Sequence, residues 1–253
     1  ANCDRSVSRS CWARSGDFVY FTAPANGGHP LFRVRLDATA DPELLSSINA
    51  GIRNFDIGEN HAAVVLTHPG NPYEIHRLGL AAKESHALTA HNSEWLRGKT
   101  LSLPQRRFFE TSDGLKIEYW LVKPARTAAG RKYPLLLAVH GGPHGMWGPG
   151  DASMWHEFQF FAARGYGIVF CNPRGSGGYG YEFQRASFQN WGPGPAADVL
   201  TAVDRACDEP WVDKERLVIS GGSYGGYLAA WIVSHDKRFK APIPQRGIYD
   251  LTT

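Results

Sequence analysis

The stretch RLVISGGSYGGYLAAW, Arg216 to Trp231, holds a short apolar strand pattern, glycines clustered around one serine, and then a helical pattern. Within it, Gly221-Gly222-Ser223-Tyr224-Gly225 fits G-x-S-x-G, set between a strand and a helix as a nucleophile elbow requires. Such a turn is tight and holds its serine in a strained conformation. Glycine two residues before and two after leaves room for the neighbouring strand and helix. The serine then stands above the sheet edge, beside a helix N-terminus whose partial positive charge favours an oxyanion. The competing reading of the same residues is a glycine-rich turn that binds phosphate or nothing. Ser223 is the candidate nucleophile.

Outward from this stretch, strand and helix patterns alternate. YPLLLAVH (Tyr133–His140) is a continuous apolar run of the buried parallel-strand kind. MWHEFQFFAARG predicts a helix closing at Gly165, and YGIVFCNPRG a second buried strand. PAADVLTAVDRAC predicts a helix with Ala197, Leu200, Thr201, Val203 and Ala206 available for one face. GGYLAAWIVSHD predicts the helix after Ser223, and APIPQRGIYD (Ala241–Asp250) a further strand. This spacing means a mostly parallel sheet with helices on both faces, the α/β class, and with the elbow an α/β-hydrolase core.

The first hundred residues differ. DFVYFTAP and HPLFRVRLD are two strand candidates joined by a Gly-Gly turn, and HAAVVLTHP and PYEIHRLGL repeat that arrangement with a shorter turn. Thr22 and Pro24 match Thr67 and Pro69, and Arg35 and Leu36 match Arg77 and Leu78. A strand-pair repeat of about 40–50 residues is the size of a β-propeller blade. The alternative is a small sandwich with accidental similarity. The style changes near Leu103–Arg107, after which RRFFETSDGLKIEYWLVKP reads as two strands joined at Ser112–Gly114. The organisation expected is therefore residues 1–104 as a partial propeller of about two blades and residues 105–253 as a catalytic domain incomplete at its C-terminus.

A serine hydroxyl needs an oxyanion cradle and a base. The strand LLLAVH ends in His140-Gly141-Gly142-Pro143, and in α/β-hydrolases HGGG-type loops after an early strand supply one oxyanion N–H. The other comes from the residue after the nucleophile. The backbone N–H groups of Gly142 and Tyr224 are the expected donors. The base is harder to place. His235 and Asp236 lie near the far end of the helix that starts at Ser223, roughly 18 Å away. His140 belongs to the cradle loop, where it holds the loop by hydrogen bonds. His144 and His156 precede the nucleophile, whereas this fold orders its triad Ser, then Asp or Glu, then His. Asp250 ends a predicted strand, but no histidine follows it. The chain cannot hold a triad in that order.

Composition narrows the alternatives. The chain of 253 residues is 43% hydrophobic and 20% charged, with a net charge of +3 and no long basic run, so nothing argues for nucleic acid. No apolar run is long enough to span a membrane. Four cysteines are sparse: Cys171 and Cys207 read as free and reduced, and Cys3 and Cys11 as a pair only if oxidised. No metal or organic cofactor is suggested. The chain begins without Met, so the lack of a leader sequence is uninformative; the compartment expected is the cytoplasm.

Three motifs together, HGGPHG (His140–Gly145), NPRGSGGYG (Asn172–Gly180) and GGSYGGY (Gly221–Tyr227), resemble the prolyl oligopeptidase family of serine peptidases, with the acylaminoacyl-peptidase branch nearest. NWG followed by Asp198 fits as well. The resemblance covers most of residues 108–253, and the first hundred residues match in kind, as propeller blades. It implies a serine hydrolase acting on short or N-acylated peptides through an acyl-enzyme, with Ser223 attacking and Gly142 and Tyr224 holding the oxyanion. It also implies that the propeller restricts entry to small peptides. The triad Asp and His would lie on later strands, so the partner expected besides substrate is the rest of the chain's own polypeptide, with a homo-oligomer left open. The isolated chain is then expected to be inactive. Arg174 has two readings: it holds a substrate carbonyl or carboxylate, or it braces its loop against Asp198. An esterase or lipase on the same core, or a catalytically silent binding fragment, are the competing functions.

Overall fold

The computed structural model describes residues 3–37 and 41–250. The chain divides into two compact units. One comprises residues 1–99, 148–155 and 177–181, the other residues 100–147, 156–176 and 182–253.

The first unit holds two four-stranded antiparallel sheets, each laid down in chain order. One contains β1 (Arg9–Trp12), β2 (Phe18–Thr22), β3 (Leu31–Arg35) and β4 (Glu43–Leu44); the other contains β5 (Gly51–Ile57), β6 (His61–His68), β7 (Asn71–Gly79) and β8 (Ser85–Ala87). The short helix α1 (Ser93–Leu96) follows. The central hairpins are the two that the sequence repeat predicts. In β2–β3 Thr22 faces Leu31, and an Ala25–Gly28 bridge closes the turn; β6–β7 closes more tightly, with His68 facing Asn71. The outer strands give no sequence signal. β1, β4 and β8 are two to four residues long and mostly exposed, so no apolar alternation marks them. β5 exposes Arg53, Asn54 and Asp56 between its buried positions and shifts register between Ile52 and Asn54. Leu31, Leu45 and Val64 are fully buried at the centre, with Tyr20, Ile52, Phe55 and Leu78 around them. Each such side chain is worth about 1.5–3 kcal/mol of burial.

The second unit is built on one mixed sheet of six strands, in the order β14-β13-β11-β12-β10-β9. β9 (Gln105–Glu110) and β10 (Lys116–Val122) form the predicted hairpin, and β10 runs antiparallel to β12 (Gly167–Asn172). β12, β11 (Tyr133–Val139), β13 (Val212–Gly222) and β14 (Phe239–Gln245) are parallel. All six residues of β12 are buried, as expected of a strand covered on both faces. The connections are the helices α2 (Trp155–Ala163), α3 (Tyr181–Arg185), α4 (Pro193–Cys207) and α5 (Tyr224–His235). Trp120, Phe158 and Phe170 stack at the core, with ring centroids 5.2 Å apart for Trp120–Phe170 and 4.8 Å for Phe158–Phe170.

Two expectations need correction. The face of α4 that packs inward is Ala196, Val199, Ala202, Val203 and Ala206, with Asp198 beside it, whereas Ala197 is exposed. Thr201 turns its hydroxyl onto the Ala197 carbonyl instead of packing inward. The small alanines on every side of this helix leave its apolar stripe ambiguous in sequence. The last strand starts two residues earlier than predicted, at Phe239, and ends at Gln245 because Arg246 takes a left-handed φ of 41°.

Candidate active site

The sheet's register assembles the site. Val139 of β11 lies opposite Gly221 of β13, and Gln245 of β14 lies opposite Gly222. The chain segments leaving the carboxyl ends of β11 and β14 therefore flank Ser223 from its two sides, where ligands of open α/β sheets bind. Ser223 caps α5 with φ 58° and ψ −125°, a conformation that a non-glycine residue adopts only under constraint. The constraint is visible. The Ser223 N–H donates to the Gln245 carbonyl at 3.1 Å, and its own carbonyl accepts the N–H groups of Gly226 and Tyr227. The serine side chain is exposed. A methyl group on Gly221 would strike the Gly225 carbonyl oxygen, and one on Gly225 would strike the Val139 carbonyl oxygen. Both flanking glycines of the motif are thus required by close approach of backbone.

The loop after β11 lies against the serine. A Cβ on Gly141 would stand 3.2 Å from the Ser223 Cβ and 3.8 Å from its Oγ. The next residue, Gly142, has φ 132°, a backbone region open to glycine. His140 is 2% exposed; its Nδ1 lies 2.8 Å from the Gly141 carbonyl oxygen and its Nε2 3.0 Å from Ser176 Oγ. His144 reaches the Gly175 carbonyl oxygen at 2.8 Å through Nδ1. Both histidines thus tie this loop to the loop after β12. Asn172, fully buried, adds a reciprocal pair, accepting from the Trp147 N–H and donating to the Trp147 carbonyl.

Tyr224 is the first residue of α5, so its N–H has no place in the helical ladder and is open to a ligand. Its side chain is fixed. The hydroxyl donates to the Trp191 carbonyl at 2.7 Å, and the ring meets Trp191 edge-on with centroids 5.2 Å apart. Burial, with help from Tyr227 and Asp198, pushes the phenol's pKa up, so it stays a donor.

Of the two readings of Arg174, its contacts in this chain are those of the brace. Its Nε and Nη2 grip the two oxygens of Asp198 at 2.9 Å each, and its backbone N–H adds a third bond at 2.8 Å. Asp113 takes the other edge of the guanidinium, at 2.8 and 3.2 Å. Two bidentate carboxylates leave it little capacity for a substrate. The Arg174 hydrogen bond is the main cause that lowers the Asp113 carboxyl to about 2, and Asp198 with Asp113 raises Arg174 in turn. Burial pushes Asp198 upward against the pull of the guanidinium.

Among the described residues no side chain hydrogen-bonds Ser223 Oγ. His235 ends α5 twelve residues on, its ring stacked on Trp231 at 4.0 Å, and Asp236 caps that end. His156 lies in the first turn of α2, and Asp250 lies exposed beyond β14. The four cysteines are free, Cys3 and Cys11 included. No cluster of metal-binding side chains occurs among the described residues. None of the described helices is long and apolar enough to cross a membrane. Arg246, which sequence reading did not single out, directly follows Gln245, the β14 partner of Gly222.

An elbow serine on a mixed α/β sheet, with a glycine loop beside it, defines a hydrolase-type core. Residues 152–253 match the prolyl oligopeptidase family. It is 36% identical over 241 residues to the "Uncharacterized peptidase YuxL" of Bacillus subtilis (strain 168), covering 95% of this chain and 36% of that protein. It is 26% identical over 277 residues to dipeptidyl-peptidase 5 of Trichophyton equinum, covering 98% of this chain and 35% of that one. An acylaminoacyl peptidase solved in complex with Z-Gly-Gly-Phe-chloromethyl ketone superposes with a TM-score of 0.86 at 31% identity, covering 97% of this chain and 38% of that chain. The chain thus spans little more than a third of the length of these relatives.

Proposed function

We propose that Ser223 is the nucleophile of a serine peptidase that cleaves short or N-acylated peptides through an acyl-enzyme, with the N–H groups of Gly142 and Tyr224 receiving the oxyanion. The observation that carries this reading is the exposed serine held at φ 58° with Gly141 against it. In the step envisaged, Oγ bonds to the scissile carbonyl carbon while its proton passes to a base. The carbonyl π pair becomes the oxyanion. Collapse then breaks the C–N bond, and the base returns the proton to the leaving amine. Loss of one oxyanion donor typically costs about 2.7–4 kcal/mol of transition-state stabilisation.

The reading assigns the base and its orienting acid to polypeptide outside this chain. It therefore expects little turnover from the 253-residue chain alone. It also takes the two four-stranded sheets as propeller blades. Their repeated up-and-down order supports this, as does the need of each such sheet for a neighbour to cover it. The substrate class is supported by the relatives' names and by the peptide-derived ligand of the acylaminoacyl peptidase.

The same elbow serves esterases. Hydrolysis of an acyl-amino-acid anilide and of a p-nitrophenyl ester, by the enzyme at its full natural length, separates the two. Anilide turnover is expected, and turnover of the ester alone would overturn the peptidase assignment.

A further inference from the structure

We propose that Arg246 is a specificity-determining residue that receives a carboxylate of the peptide substrate beside Ser223. This inference rests on the reading of Ser223 as the nucleophile. Gln245 of β14 pairs in register with Gly222, so Arg246 is the residue on β14's side of Ser223, as Gly141 is on the side of β11. The guanidinium lies over the elbow: a Cβ on Gly222 would stand 3.0 Å from its Nη2, 3.1 Å from Cζ and 3.3 Å from Nε. Glycine at position 222 is what lets the planar group lie this close to the chain just before the nucleophile.

Two further observations point to a ligand. Arg246 holds a left-handed φ of 41°, unusual for a long side chain, and such strain persists where the surroundings over-determine it. The residue is also exposed, and among the described residues no carboxylate or carbonyl accepts from its guanidinium. Arg174 shows the contrast in the same unit, with both edges of its guanidinium on carboxylates. A charged arginine fork at the carboxyl ends of parallel strands matches a planar anion by bidentate geometry. On a peptide that anion is a carboxylate, supplied either by a free C-terminus near the scissile bond or by an acidic side chain.

The test uses the enzyme at its full natural length, with Arg246→Ala and Arg246→Lys. Three matched peptides are compared: one with a free C-terminal carboxylate, its C-terminal amide, and the amide with a glutamate beside the scissile bond. For one carboxylate-bearing peptide, Arg246→Ala is expected to raise KM by about tenfold or more while leaving the plain amide within about twofold, and Arg246→Lys to recover part of the loss. Which peptide responds identifies the source of the carboxylate. Equal losses on all three peptides, or no change on any, would overturn the proposal. Calorimetric binding of the same peptides to Ser223→Ala, with and without Arg246→Ala, reads the carboxylate preference without turnover. A failure of the Ser223 reading, with peptide turnover retained in Ser223→Ala, is thus distinguishable from a failure of the Arg246 proposal, with binding indifferent to the carboxylate.

Discussion

Ser223 is held by contacts that leave almost no freedom at three neighbouring positions. Gly221 and Gly225 each face a carbonyl oxygen at a separation that excludes a side chain, and Ser223 itself sits at a positive φ. A Gly225→Ala substitution forces α5 away from β11. It should destabilise the protein by about 1–3 kcal/mol in denaturant unfolding and move the serine relative to the Gly141 loop. An unchanged unfolding midpoint would mean that the elbow yields more easily than its geometry indicates. Much of this was legible in sequence, because G-x-S-x-G after an apolar run describes a steric requirement. Arg246 was not legible in the same way. Its placement depends on the register of β13 with β14, a pairing of distant segments, and on a left-handed backbone taken by the arginine itself and not by Gly247 after it.

At the scale of elements, the loop after β12 is fastened to α4 through Arg174 and Asp198 and to the β9–β10 turn through Asp113. The Asp198 side chain is 1% exposed, so Asp198→Ala strands a largely buried guanidinium. A cost of about 3–5 kcal/mol is typical of breaking such a pair, and the remaining Asp113 contact should hold the value near the lower end. Unfolding in denaturant reads it. The Asp113 link is pH-dependent. Its carboxyl falls from the ordinary 3.8 to about 2 in the folded chain, chiefly through the Arg174 hydrogen bond. A depressed folded value stabilises the protein above the unfolded pKa, and the gain disappears as pH falls through the folded one. Between about pH 4 and pH 2 the wild type should therefore lose stability that Asp113→Asn lacks from the start. Parallel acid curves for the two would contradict this. Sequence carried the strands and helices well where periodicity was strong, as in β11 and β12. It misjudged α4, whose alanines leave the inward face to be decided by packing, and it missed short outer strands such as β1, β4 and β8, whose pairing is decided by tertiary contact.

At the scale of the whole molecule, residues 152–253 match the prolyl oligopeptidase family, and the first unit holds two antiparallel sheets. The chain supplies an exposed, strained serine and a cradle of backbone around it. The proposal that the proton-transfer groups lie outside this chain depends on Ser223 being the attacking atom. The most direct measurement is labelling of the enzyme at its full natural length with a fluorophosphonate, followed by peptide mass spectrometry. The account predicts a single adduct on the peptide bearing Ser223, absent from Ser223→Ala; an adduct on another residue, or equal labelling of both proteins, would contradict it.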